Sequence, residues 1–260
     1  MRKIITAEYF KTWKSMLDTD IDDGLEAIQK MEVEPHSFKF YTSVSVMASS
    51  KIEGEQLEID SYVKHKLLNI TYLPELTEKP NDLYNAYLFA KEKQLNRQNF
   101  IEAHKLVAAH LLPEKQRGAT RTMEMLVMEH KTGRIQFTAC PQSMVKKQLD
   151  LLWDEIEYLL KQKMTNAEVF YYAAFIHLVF VNIHPFGDGN GRSGRLLEKW
   201  FLAEKLGGTA WYIKSENYYY KNIDSYYKKL AQLGMLYDEL DYQKSLPFLL
   251  MLPQSLVFEK

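Results

Sequence analysis

Apolar residues recur along most of this chain at the three-and-four spacing of an α-helix, not at the alternation of a strand. Residues 7–18 and 21–31 read as short amphipathic helices, 37–52 as a longer one closed by Gly54, and 58–69 as one ending before Pro74. Asn81 is placed to cap a helix running to about residue 94, and Asn96 or Asn99 one running to Leu112. Pro141 suits the first turn of a helix over 141–161, and Thr165 with Glu168 forms a capping box for 166–182. Residues 191–206 form a helical pattern stopped by Gly207 and Gly208, Ser215 caps one that runs to about 233, and a last short helix covers 242–251. One segment departs from this period: Met123–His130, the turn Lys131-Thr132-Gly133-Arg134, then Ile135–Cys140 read as strand, turn, strand. The pattern predicts an all-α fold class with one small β-hairpin.

Composition narrows this further. The chain has 260 residues with 11 Gly and 8 Pro, against roughly 18 and 13 for average usage, which disfavours turn-rich sheets and linkers. With 46% hydrophobic residues it can bury a sizeable core. Lys+Arg 33 against Asp+Glu 34 gives a net charge of −1, which disfavours a polyanion binder, so no nucleic-acid partner is expected. Cys140 is the only cysteine, so no internal disulfide can form, and it reads as structural. The N-terminus lacks a signal-like apolar run, and the most apolar stretch, Phe170–Ile183, is too short for the roughly 18 apolar residues of a bilayer span. A soluble, cytoplasmic protein with no membrane partner is the expectation.

Four of the 11 glycines, Gly187, Gly189, Gly191 and Gly194, fall inside His184-Pro-Phe-Gly-Asp-Gly-Asn-Gly-Arg-Ser-Gly-Arg195. Gly189, Gly191 and Gly194 formally match a dinucleotide-binding fingerprint. That reading fails because a helix, not a strand, precedes the loop and no strand–helix alternation exists. The chemistry is still legible. A glycine-rich loop running into a helix near Asn190 presents free N–H groups and the positive end of a helix dipole to an anion. Arg192 and Arg195, three apart, share a face and can grip phosphate oxygens. Asp188 can hold a Mg²⁺ that bridges phosphates, and His184 can take a proton from an attacking hydroxyl. The set suits nucleotidyl or phosphoryl transfer.

The same residues carry a resemblance. His184-Pro185-Phe186-x-Asp188-Gly189-Asn190-Gly191-Arg192-x-x-Arg195 resembles the Fic-domain motif with every fixed position filled, supported by Ala174, His177, Phe180 and Ile183 before it and Tyr226, Tyr227 and Leu230 after it. The resemblance covers roughly 37–235 and implies transfer of AMP from ATP to a Ser, Thr or Tyr hydroxyl of a target protein, with release of pyrophosphate. It implies His184 as general base, Asp188 as Mg²⁺ ligand, Asn190 and the N–H groups of the loop (Gly187, Gly189, Gly191) on the α-phosphate, and Arg192 and Arg195 on the β- and γ-phosphates. Phe186 would anchor the loop, and Asn222 and Tyr226 would meet the adenosine end. The hairpin at 123–139 would be the flap that docks the target. Gly191 favours AMP transfer over the Doc kinase reaction, whose members have lysine there. Family members often dimerise, so a homodimer is among the partners expected.

Upstream, Ser49-Ser50-Lys51-Ile52-Glu53-Gly54 is similar to the family's inhibitory motif. Ser49 and Glu53 stand at i and i+4 on one helix face. The resemblance implies that Glu53 pairs with Arg195 and so occupies the γ-phosphate position. The expected organisation is an N-terminal helical region over 1–94 holding the inhibitory helix at about 37–53, a catalytic core over 95–235, and a helical tail over 236–260. Two other functions fit the same residues: removal of AMP by the same site, and a catalytically silent nucleotide-binding interaction protein. His177, seven residues before His184, could make a histidine metal pair with it, but with no third ligand in view it reads as structural. The Lys and Glu of 155–168 read as a solvated face.

Overall fold

The structure is a computed structural model that describes residues 4–30, 37–128 and 132–257. Its helices are α1 (Phe10–Ser15), α2 (Ile21–Lys30), α3 (Ser37–Ile52), α4 (Ile59–Leu68), α5 (Pro74–Glu92) and α6 (Arg97–Val107). After the hairpin strands β1 (Leu126–Met128) and β2 (Ile135–Thr138) come α7 (Gln142–Lys161), α8 (Asn166–Ile183), α9 (Asn190–Leu206), α10 (Ser215–Lys221), α11 (Ile223–Ala231), α12 (Leu246–Leu249) and α13 (Met251–Gln254). This is the mainly helical class that the periodicity predicts. The buried apolar residues form one continuous cluster from Ile5 to Leu256, so the N-terminal, central and C-terminal regions share a core.

At the centre lies α8. By length and composition it is long enough and apolar enough to cross a bilayer, where the sequence alone suggested too short a run; here it is mostly buried inside the body. Its start is fixed as predicted: Thr165 and Glu168 form a reciprocal capping box. Beside it packs α9. A β-carbon at Gly194 would come within 2.9 Å of Val181 and 3.2 Å of His177, so this glycine lets the two helices approach closely. A second buried tie is ionic: Lys199 meets Glu216 at 3.0 Å, and Glu216 also accepts from Tyr87 at 2.6 Å, joining α9, α10 and α5. Both charges are removed from water, which is tolerable only because they are paired and hydrogen-bonded.

Several boundaries differ from the periodic reading. Helix α5 begins at Pro74 and runs through a buried Pro80, whereas Asn81 was expected to start it. Asn81 spends its side chain on tertiary contacts, accepting from Tyr62 and Lys66 at 3.1 Å each. Packing here overrides the usual cost of an interior proline. Asn96, not Asn99, caps α6, accepting the Asn99 N–H, and the helix ends at Val107 before Leu112. Pro141 stands just before the first helical residue of α7. The helix expected over 215–233 breaks at Asn222, whose side chain donates to the carbonyl of Tyr218; Ser215 begins α10 without capping it. The C-terminal 242–251 is two short turns of helix and a 3₁₀ stretch. Glu155, read as solvated, accepts the N–H groups of Ile4 and Ile5 at 2.7 Å and ties the N-terminal segment to α7.

The hairpin pairs Leu126 with Thr138, Val127 with Phe137 and Met128 with Ile135, with a register irregularity after Val127. Residues 129–131 of the predicted strand and turn lie outside the described residues. Phe137 is buried beneath the hairpin, while Leu126, Met128 and Ile135 face outward.

Candidate active site

The site is built where α8 stops. His184 ends that helix in the left-handed region, at φ 51 and ψ 60, a conformation that costs a non-glycine residue energy and persists only where surroundings enforce it. Two other residues enforce it. Arg121, almost fully buried, donates to the carbonyls of His184 (2.7 Å), Met123 (2.6 Å), Cys140 and Ile183 (3.4 Å), pinning the corner to the start of the hairpin. His104, from α6, holds the loop from below. It stacks on Phe186 with centroids 3.6 Å apart, accepts the Gly118 N–H at Nδ1 (2.9 Å) and meets the Asp188 carbonyl at Nε2 (3.0 Å). Because Nδ1 accepts, the proton sits on Nε2, which donates to Asp188. Neither Arg121 nor His104 was singled out from sequence. Each lies in a polar stretch with no motif around it, and only the fold brings it beneath the loop.

Burial pushes His104 down to about 4, and protonation would also displace the Gly118 N–H. The unfolded chain, near 6.5, therefore takes up this proton first as pH falls. The stabilisation is fully present above about 6.5 and is lost as pH falls toward 4. Urea unfolding across pH 7 to 4.5 should show a decline of up to about 1.4 kcal/mol per pH unit from this group, with a shallower slope in His104→Gln. An unchanged slope would remove His104 from the account.

Within the loop, Asn190 closes a ring with Phe186: its Oδ1 accepts the Phe186 N–H and its Nδ2 donates to the Phe186 carbonyl, both at 2.9 Å. The sequence reading sent this side chain to a phosphate; the structure commits it to the loop, leaving the backbone to face a ligand. Gly189 takes φ 77 as the residue before α9, where a side chain would be strained. The Asp188 carboxylate is exposed, and Oδ1 accepts the Gly189 N–H at 2.6 Å. The glycine cluster is therefore not devoted wholly to ligand. Gly189 turns the chain, Gly194 seats α9 on α8, and Gly191 makes room for a carboxylate: a β-carbon there would collide with Glu53 Oε1.

That carboxylate comes from the end of α3, which closes in a Schellman turn. Gly54, at φ 89, donates its N–H to Lys51, and Glu55 donates its own to Ser50. The other end carbonyls are also satisfied. Ile52 accepts from Tyr227 at 3.3 Å, and Ser49 accepts from Arg195 at 3.1 Å. Arg195 further donates Nε to Ser49 Oγ (2.8 Å) and an N–H to Glu53 Oε1 (2.6 Å). Burial pulls the Arg195 guanidinium down, and Glu53 more than offsets this, holding it above its ordinary value. Arg195 is 1% exposed. Behind it lies a directed chain: Tyr226 accepts from Arg195 and reaches His177 Nε2 (3.1 Å), and His177 Nδ1 reaches Glu198 Oε2 (2.8 Å), which also accepts from Tyr219 (2.9 Å). Both nitrogens of His177 are thus engaged, and His177 does not pair with His184. Among the described residues no group of three His, Cys, Asp or Glu is placed to hold a metal alone.

A cavity of about 470 Å³ opens over these groups. Its walls include Glu53, His184, Gly187, Asp188, Asn190, Gly191, Arg195 and Tyr226, together with hairpin residues such as Leu126 and Val127. Tyr227 and Leu230 also line it, one helix face of α11 that the sequence linked to the site only by resemblance. Four expected site residues are not on its walls. Gly189 is spent on the turn, Asn222 on ending α10, Arg192 is held by Glu55 Oε1 at 2.9 Å, and Ser49 meets Arg195 without reaching the cavity. His184 donates Nδ1–H to the Val181 carbonyl (3.1 Å), so Nε2 is the nitrogen left to accept a proton. Burial pushes His184 down to about 4, so the ring is neutral and competent as a base at neutral pH.

Residues 94–202 match the Fic/DOC family. The protein adenylyltransferase Fic of Nematostella vectensis is 31% identical over 113 residues, 44% of this chain and 24% of that one. The match thus spans about a quarter of that relative's length. Among solved structures, a Fic family protein from Desulfovibrio desulfuricans superposes with a TM-score of 0.77 at 19% identity, over 98% of this chain and 74% of the other. A Fic domain containing signaling protein from Bacteroides thetaiotaomicron gives 0.66 at 18%, over 96% and 91%. At such identity these likenesses establish the fold. The matched segment opens just before α6 and closes inside α9, enclosing His104, Arg121, the hairpin and the whole loop from His184 to Arg195; over this stretch the chain carries a Fic domain.

Proposed function

We propose that this protein transfers AMP from Mg-ATP to a hydroxyl of a target protein, releasing pyrophosphate, and that Glu53 restrains it. The observation that carries the reading is a neutral His184 with Nε2 available, in one cavity with Arg195 and the N-terminal turn of α9. The free N–H groups there and the dipole of α9 suit the α-phosphate, and Arg195 suits an outer phosphate. His184 takes the proton of the attacking hydroxyl as oxygen bonds to the α-phosphorus and pyrophosphate leaves. Asp188 would hold Mg²⁺, whose charge offsets that of the phosphates; one exposed carboxylate plus substrate oxygens is a donor set this ion accepts. The outward edge of the hairpin suits a target strand laid beside it.

Glu53 holds the arginine that an outer phosphate needs. Its removal should therefore raise transfer. With labelled Mg-ATP and a lysate of the source organism, Glu53→Gly should label protein hydroxyls roughly 5–150-fold more than wild type, the span of a 1–3 kcal/mol coupling. Equal labelling would sink the restraint. The second reading, removal of AMP, draws on the presence of Glu53 in the cavity with His184, where it could orient water. A purified AMP-modified target that loses AMP to wild type and keeps it with Glu53→Gly would favour that direction.

A further inference from the structure

The turn that carries Glu53 carries a second carboxylate. Glu55 Oε1 lies 2.9 Å from Arg192, with the two side chains 11% and 4% exposed. Arg192 and Arg195 lie one turn apart in the first turns of α9, and Glu53 and Glu55 flank Gly54 in the Schellman turn closing α3. The spacings match, so two carboxylates of one turn meet two guanidiniums of another. Both anions sit at the positive end of α9, where the dipole and free N–H groups favour negative charge. Two further observations point to displacement. Among the described residues, Nε of Arg192 is buried with no hydrogen-bond partner, so the guanidinium retains an unused donor. Lys79 of α5 stands 3.2 Å from the same Glu55 oxygen, so Glu55 keeps a cation when Arg192 is taken from it.

We infer that Glu55 is a second latch: it closes Arg192 against the outer phosphates of ATP as Glu53 closes Arg195, so the turn acts as an internal mimic of two phosphates. This rests on reading the site as an ATP site. Each latch withholds one arginine, and full phosphate grip requires both to open. Glu55→Gln removes the charge while keeping the shape, at a position outside the core.

Binding of a non-hydrolysable ATP analogue with Mg²⁺, followed by calorimetry, tests this in wild type, Glu55→Gln, Glu53→Gly and the double variant. The analogue should bind at least about fivefold more tightly to Glu55→Gln than to wild type, and tighter again by a similar factor to the double variant than to Glu53→Gly. AMP, which lacks the outer phosphates, should bind all four alike. Unchanged or weaker analogue binding on adding Glu55→Gln in both backgrounds overturns the latch; weaker binding would mean that Glu55 aims Arg192 productively. An equal gain for AMP overturns it too, since the effect would then be general opening of the cavity. If Glu53→Gly transfers no AMP under any condition, the AMP-transfer reading fails, and the analogue titration still decides the role of Glu55.

Discussion

With Glu53→Gly as the parent, His184→Ala is expected to lower AMP transfer by roughly 10²–10⁴-fold, the usual worth of a positioned general base, while ATP binds as before. The separation follows from the geometry. His184 offers one ring nitrogen to the cavity, the other being bound to the Val181 carbonyl, so in the proposed reaction its side chain would accept a proton and would not grip phosphate. The groups suited to binding, the N-terminal turn of α9 and Arg195, are held by other contacts: Asn190 to Phe186, and Arg195 to Ser49 and Tyr226. Alanine at 184 keeps the backbone carbonyl that Arg121 grips. Quench-flow transfer assays beside analogue titrations check this. A variant that loses binding along with rate would make His184 part of the nucleotide grip, and one that keeps its rate would end the role as base. The pH profile of the parent gives a further check: with His184 pushed down to about 4, transfer limited by this group should be level through neutrality and fall only toward acid.

The other large effect concerns stability. Arg121→Met is expected to cost about 3–5 kcal/mol, in the range for stripping a buried charged group from its partners. Four carbonyls, those of His184, Ile183, Met123 and Cys140, accept from this guanidinium. Methionine fills much of the volume and satisfies none of them, so buried acceptors lose their donor. For a chain of this size the melting temperature should drop by roughly 6–20 °C. In the proposed reaction, transfer to a protein target should fall even below the melt, because the guanidinium ties the His184 corner to the start of the hairpin. A melting shift under about 2 °C would show that water or neighbouring groups replace the guanidinium without loss.

The sequence revealed the elements through their periodicity and caps. Helix α8 shows this well: a capping box opens it, an unbroken apolar run fills it, and its buried position follows from having no polar face. The loop was legible because its residue types are rare in combination. Boundaries that failed did so where a side chain had a competing partner. Asn81 was taken by Tyr62 and Lys66, and Asn222 turned back on α10. Local capping preference cannot register such partners, since they arrive from distant positions.

Sequence by itself thus determined the helical class, the glycine-rich loop as a candidate anion site, the candidate base and the pairing of Glu53 with Arg195, the last through resemblance. Tertiary structure alone decided what holds the loop and what closes it. His104 and Arg121 serve the site from 84 and 63 positions before Asp188 and His184 respectively, distances that no local pattern spans. The same holds for Glu55, which no motif marks in the sequence and which the fold sets against Arg192, 137 residues away. A local pattern is fixed by the geometry of one turn or strand, whereas these contacts exist only once the burial of the whole core has brought distant segments together.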